Sequence, residues 1–392
     1  MERSPTDRTM RIGLFYPHTH TPHIRSKTIR EWVPDVFDLE VHRRVVTACE
    51  AGGLDFLFTL DNWGVESWGG QRERAGADHL RENGLMGPIL AASLFAMTCH
   101  IPFITTIHTS ILHPVHVARV GANLDTLSQG RWGINLVTGS GGAEGLFENL
   151  EAHPDHDERY AMAEEAFTII TQLWRGESCD FEGAYYRVKG DLIGPTAVQQ
   201  PYPAIVTAGA SPAGLRFTAR YADWHFMPGR MTREDALARM AKLQALCEAE
   251  GRPPDGIRMM RHVSMLVRDT AQEAQDMTDW LVSLVDQEMA HRYVEQIGQR
   301  ISTYRDVYQA YSRDDDTVRR IGLSSGALVM HGTPVQVAEQ IQAFHESQGC
   351  GGIALTFPLW HPEEIGRFTS GVLPLLEKMG IWISPHRRGW SW

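Results

Sequence analysis

Eight short apolar runs, each closed by turn residues and each separated from the next by a longer stretch, constrain this chain more than any other feature. They are RIGLFYP (11–17), LDFLFTL (54–60), IPFITTIHT (101–109), RWGINLVTG (131–139), YPAIVTAGA (202–210), ADWHFM (222–227), IRMMRHVSMLV (257–267) and GGIALTF (351–357). A strand that is apolar on both faces must be covered on both faces, which points to a parallel sheet sandwiched by helices. The intervening stretches can supply those helices. Val117, Val120, Leu124 and Leu127 form one stripe between Pro114 and Gly130, and Tyr160, Ala163, Phe167, Ile170 and Trp174 form another before Gly176. Further helices are predicted at 232–250, 271–292, 334–348 and 362–379.

Parallel neighbours require right-handed crossovers, and eight strand–helix units predict an α/β chain folded as a TIM-like (β/α)8 barrel. A doubly wound open sheet is the competing architecture. One domain is expected over 11–380, with tails at 1–10, expected to be disordered, and at 381–392. Two segments, about 62–85 and 292–320, exceed ordinary loop lengths and are expected as insertions at the C-terminal mouth.

Charge and cysteine usage narrow the function classes. Lys and Arg number 37 against 48 Asp and Glu, a net charge of −11, which disfavours nucleic acid or an anionic membrane as the main partner. The five cysteines are odd in number, widely separated and without a C-x-x-C pair, so neither a disulfide framework nor a zinc knuckle is encoded. Residues 1–9 lack the apolar core of a signal peptide, and no run approaches the ~20 apolar residues of a membrane span. A cytoplasmic protein is the expectation.

Several familiar chemistries fail on their own motifs. His18, His20 and His23 follow the first strand, as in metal-dependent barrel hydrolases, and His108, His113 and His116 crowd the third. The ends of strands four, five and eight, however, offer no ligand or carboxylate to complete an open metal site. The glycine cluster at 136–145 places Glu144 where a dinucleotide loop needs its third glycine. No P-loop and no G-x-S-x-G elbow is present. GASPAG (209–214) is more informative: Ser211 can cap a helix, Pro212 suits its first turn, and the free N–H groups of that turn would bind phosphate. Arg159 and Tyr160 could add a cation and a hydroxyl, although Tyr160 also belongs to an apolar stripe.

RWGINLVTG with Glu144, then RYAMAEEAF, LWRGESCDFEGAYYRV, PAIVTAGASPAGLRFTARYADWHF and HGTPVQVAEQIQAFHESQGCGGIALTF, taken in order, resemble the bacterial luciferase-like flavin-dependent monooxygenases over roughly residues 11–379. Within them the chain is most similar to the branch containing the pyrimidine-ring-opening monooxygenases, with alkanesulfonate and sulfone monooxygenases as cousins. The resemblance implies reduced FMN delivered by a separate NAD(P)H-dependent flavin reductase, O2 as cosubstrate, a small-molecule substrate and a homo-oligomer. It implies that Asp61 and Asn62 touch the flavin, although neither keeps the family's residue type. Thr106 and Asn135 would border the isoalloxazine and the oxygen pocket as catalytic residues, Glu144 would be another flavin contact, and Arg159, Tyr160 and Ser211 would hold the phosphate.

The implied reaction is oxidation through a flavin peroxide, with cleavage of a C–N bond of a cyclic amide or N-heterocycle as the leading expectation. Alternatives are C–S cleavage of a sulfonate or sulfone, a deazaflavin-dependent hydride transfer, a flavin-binding protein without activity and, remotely, a metal-dependent barrel hydrolase. The stretch Asp61 to Gly87 departs from the uracil enzymes in being rich in Trp, Gly and charge, which leaves the substrate open.

Overall fold

The computed structural model describes residues 9–16, 24–61, 63, 84–139, 156–227, 229–300, 311–324, 326–359 and 361–390. Eight of its strands run parallel and close on themselves: β1 (Arg11–Tyr16), β2 (Leu57–Thr59), β3 (Phe103–His108), β4 (Trp132–Val137), β7 (Ala204–Thr207), β8 (Trp224–Met227), β9 (Arg258–Val267) and β11 (Gly352–Thr356). Pairing of β8 with β9 and of β11 with β1 completes the ring. These are the eight apolar runs, and the closed barrel excludes the open-sheet competitor.

Three further strands lie outside those eight runs. β5 (Cys179–Glu182) and β6 (Arg187–Gly190) form an antiparallel hairpin outside the barrel. One face is exposed and carries the cross-strand pairs Arg187–Glu182 at 3.1 Å and Lys189–Asp180 at 3.4 Å, while Cys179, Phe181 and Val188 on the other face pack against the core. β10 (Leu328–Gly332) pairs with Val263–Val267 of β9, continuing along the strand past Arg261, the last residue paired with β8.

The helices cover the outside of the ring. Helix Pro114–Leu127 and helix His156–Trp174 present the predicted stripes, with Val117, Leu124, Phe167, Ile170 and Trp174 buried, except that Leu127, in the last turn of the first, is exposed. Two predicted helices are each divided. The stretch 271–292 is Ala271–Ser283 followed by Gln287–Arg300, because Asp286 leaves the first helix, donates its N–H to Arg25 O at 2.8 Å and accepts Met289 N at 3.1 Å to start the second. The stretch 362–379 breaks at Val372, just before Pro374, which lacks the N–H a continuous helix would use. In the long segment 292–320 the described parts are helical: Gln287–Arg300 runs through its start, and Asp314 caps Asp315–Gly322, whose Val318 and Ile321 pack with Ile24, Leu266 and Val294. Among the described residues no helix is long and apolar enough to cross a membrane.

The barrel interior is filled by Phe15, Phe56, Phe58, Ile104, Trp224 and Met260. Small residues make room for large ones: a Cβ at Gly13 would collide with the Phe56 ring, and one at Gly352 would lie 2.7 Å from Trp224. The N-terminal end of the ring is closed by the C-terminal stretch. Met10 N donates to Ile381 O at 2.8 Å, while Asp55 accepts Ile12 N at 2.7 Å and Trp382 Nε1 at 2.8 Å and pairs with Arg388. The Asp55 and Arg388 side chains are only 1% and 8% exposed.

Candidate functional site

Strand alternation places Thr106, two residues past Ile104, and Asn135, two past Gly133, on the inner wall near the C-terminal mouth. The two are direct partners across β3 and β4, and both are buried. Thr106 Oγ1 lies 2.8 Å from Thr59 O, a carbonyl that can only accept, so the hydroxyl proton goes there. Asn135 must then be the donor to Thr106, and its Nδ2 lies 3.0 Å from that oxygen. This chain of donors fixes the amide's orientation. It also leaves Asn135 Oδ1 buried and without a partner, at a position 4% exposed. The pair therefore presents to the mouth the carbonyl oxygen of Asn135 and its second Nδ2 proton, with Thr106 holding the amide in place.

His108 follows on β3 and is also buried. Its Nδ1 meets Gly139 O at 2.7 Å and its Nε2 meets Asp61 O at 2.8 Å, so one ring joins the segments leaving β2 and β4. Asp61 is half-buried at this rim. Asn62 and Glu144 lie outside the described residues, as do His18, His20 and His23. His113 Nδ1 accepts Val115 N at 3.3 Å as a helix cap, so two of the histidines around β3 have backbone roles.

The β4–β7 edge carries the second cluster. Asn135 is in register with Val206, and both chains then continue outward to Thr138 and to Ser211. Ser211 is the N-cap of helix Pro212–Tyr221: its Oγ accepts Gly214 N at 3.0 Å, which leaves the hydroxyl proton directed away from the helix. Tyr160 comes from the start of helix His156–Trp174. Its ring packs against Phe217 at 6.0 Å, and its hydroxyl bonds the Thr138 side chain and lies against the backbone of Gly209 and Gly214. A Cβ at Gly214 would sit 2.7 Å from that oxygen, and one at Gly209 closer still. Tyr160 thus serves both the apolar stripe and the site. Burial pushes its phenol up, against the pull of the Thr138 hydrogen bond and the Arg159 guanidinium. A cation, two hydroxyls and a helix N-terminus together can hold an anionic group.

Across the mouth stands a wall that sequence reasoning missed. His262 and Ser264 follow Met260 at strand spacing on β9, and Thr356, two past Ala354 on β11, is in register with Ser264. The His262 ring lies 5.0 Å from Phe15 and 6.2 Å from Phe226, with Nε2 at 3.4 Å from Thr356 Oγ1. Burial pushes the imidazole down to about 4, so it is neutral at pH 7. Ser264 is fully buried and its Oγ has no partner. The available signal was the alternation in RHVSMLV, where polar residues at 262 and 264 share the inward face with Met260. Between the two walls lies an aromatic floor, with Phe15 stacked on Phe226 at 5.6 Å and both edge-on to Phe58.

The profile of the luciferase-like monooxygenases matches residues 10–349. Nitrilotriacetate monooxygenase component A of Aminobacter aminovorans is 27% identical over 398 residues, covering 88% of this chain and 86% of the relative. Pyrimidine monooxygenase RutA of Pantoea ananatis is 24% identical over 379 residues, covering 95% and 98%. A crystal structure of riboflavin lyase (RcaE) with modified FMN and riboflavin shares the fold at a TM-score of 0.82 and 24% identity, covering 98% of this chain and 94% of that one. An eight-stranded barrel, a matching profile over most of the chain and relatives named as monooxygenases agree: the chain is a member of the luciferase-like monooxygenase family.

Proposed function

We propose that this chain is the oxygenase of a two-component system that uses reduced FMN and O2 to oxidise a small organic molecule, cleaving a C–N bond of a cyclic amide or N-heterocycle. The observation that carries this reading is the buried, unpartnered Asn135 Oδ1 beside an aromatic floor. A buried acceptor without a donor costs about 1–3 kcal/mol, and a flat ring bearing N–H groups would relieve that cost. The cradle formed by Tyr160, Gly209, Gly214 and Ser211 fits the phosphate end of the same molecule. When bound, reduced FMN supplies the two electrons that split O2 between the substrate and water.

The chain's own residues bind, orient and exclude. Asn135 would accept from the bound ring through Oδ1 and offer its second Nδ2 proton to the mouth, while Thr106 keeps the amide from rotating. Phe15, Phe58 and Phe226 keep water from below. Arg159, Tyr160 and Ser211 orient the phosphate. A separate NAD(P)H-dependent flavin reductase delivers the reduced cofactor, a reading supported by the nitrilotriacetate relative, which is named as one component of a system.

The test is aerobic turnover of candidate cyclic amides with FMN, a flavin reductase, NADH and 18O2. Label in a ring-opened product is expected. Reduction of a deazaflavin without oxygen consumption would replace this reading with hydride transfer.

A further inference from the structure

We infer that the β9–β11 wall of the mouth recognises an uncharged carbonyl-bearing ring through Ser264 Oγ, and that the site rejects sulfonate and carboxylate substrates. The inference rests on the reading of the mouth as the place of substrate oxidation and adds the substrate's chemical class and the residue that selects it.

Ser264 Oγ carries one donor and two acceptor positions in a fully buried setting with no partner. It stands on the wall facing Asn135, which among the described residues is the other inward strand side chain with an unpartnered buried atom in the mouth half. Two such atoms on opposite walls, above one aromatic floor, describe a slot with a hydrogen-bonding group at each side. Asn135 is engaged by the cofactor on the reading above, which leaves Ser264 for the substrate, with Thr356 and His262 beside it.

Charge decides what that substrate is. Among the described residues, the inward positions of the eight strands from the Phe15 layer to the mouth carry no Lys, Arg, Asp or Glu. The inward cations, Arg11 and Arg258, belong to the closed end, where Arg258 donates to Thr9 O and Gly351 O. On β9 itself, Arg261 donates to Gly229 O, Met231 O and Gln348 Oε1 on the outer side, and Arg268, just beyond the strand, pairs with Glu364 at 2.9 Å. Arg25, from the segment after β1, lies over the Tyr293 ring at 4.3 Å. His262 stays neutral above about pH 4. An anion placed against this wall would lose its hydration without gaining a counter-charge. A neutral carbonyl would gain the Ser264 hydrogen bond, and a flat ring would stack on the floor set by Phe15 and Phe226.

The experiment is calorimetric titration of the full-length protein, with and without oxidised FMN, using 2-piperidone and uracil as neutral probes and benzenesulfonate as the anionic one. Neutral probes are expected to bind and benzenesulfonate to give no heat. Ser264→Ala, which removes a single oxygen, should weaken the neutral probes about tenfold and leave FMN affinity unchanged. Binding of benzenesulfonate more tightly than either neutral probe, or neutral-probe affinity unchanged in Ser264→Ala, overturns the inference. Failure of FMN to bind the wild-type protein would sink the proposed function, while the ranking of the three probes without FMN would still decide this one.

Discussion

The two ends of the barrel are built from the same strands and treat polar groups in opposite ways. At the closed end, Asp55 takes donors from Ile12, Trp382 and Arg388, and Glu50 accepts the backbone N–H groups of Cys99, His100 and Ile101. Arg131 at the start of β4 donates to Ser128, Thr98, Ile101 and Phe95. At the mouth, Asn135 Oδ1 and Ser264 Oγ are buried with nothing to bond. The hydrogen bonds at the closed end stabilise the fold, and the two unpartnered atoms at the mouth are the ones the proposed reading gives to a ligand. On the proposed function, the difference separates a face that serves stability from one that serves chemistry.

Breaking the closed end should produce the largest effect. Arg388→Ala strands the buried Asp55 carboxylate, and a loss of about 3–5 kcal/mol is expected in urea unfolding, with FMN affinity unchanged in the folded fraction. Weakened FMN binding with little loss of stability would show that the two ends are not separate. Gly209→Ala should do the reverse. The added methyl collides with the Tyr160 hydroxyl, and FMN affinity measured by fluorescence quenching should fall by about 10–100-fold, the equivalent of about 1–3 kcal/mol of overpacking. An unchanged dissociation constant would remove the Tyr160–Gly209 contact from the phosphate cradle.

Replacing Asn135 with Leu sharpens the contrast. The orphan acceptor disappears, so the unfolding midpoint should stay or rise by the equivalent of about 1 kcal/mol, while coupled oxidation drops about tenfold or more. A clear loss of stability would mean that the amide serves structure.

The smallest effect concerns acid. His225 is buried on the outer side of β8 with neither nitrogen partnered, and burial together with nearby Arg239 pushes it down to about 3; His262 falls to about 4. Both pKa values are depressed on folding, so the unfolded chain takes up protons first as pH falls below about 6.5, and stability declines from there toward pH 4. Each histidine should contribute a slope of about 1.4 kcal/mol per pH unit in that window. His225→Leu should recover about 1 kcal/mol at pH 5.5 relative to pH 7.5, and an unchanged slope in chemical unfolding across that range would contradict the burial argument.

How much of this was legible in the sequence depended on whether the signal was local. The eight barrel strands announce themselves because each is buried on both faces. Ser211 was legible as a cap because Ser-Pro before an apolar helix has one ordinary use. The pairing of Thr106 with Asn135 came through resemblance, and the direction of their hydrogen bonds required Thr59 O, which no spacing predicts. The β5–β6 hairpin was silent because its strands are four residues long and charged residues alternate with Cys179, Phe181 and Val188, so no apolar run forms. The Asp55–Arg388 contact joins distant parts of the chain, and Ser264 reads as one small polar residue in an apolar strand until the barrel closes around it.

His108 has a mechanical meaning beyond its hydrogen bonds. Because one ring stands between the carbonyls of Asp61 and Gly139, within hydrogen-bond distance of each and donating to the one its N–H faces, two stretches of rim that are far apart in sequence meet at a common point on β3. A molecule that pushes one of them outward pulls on the other through that ring, so the opening is expected to widen or narrow on both flanks together.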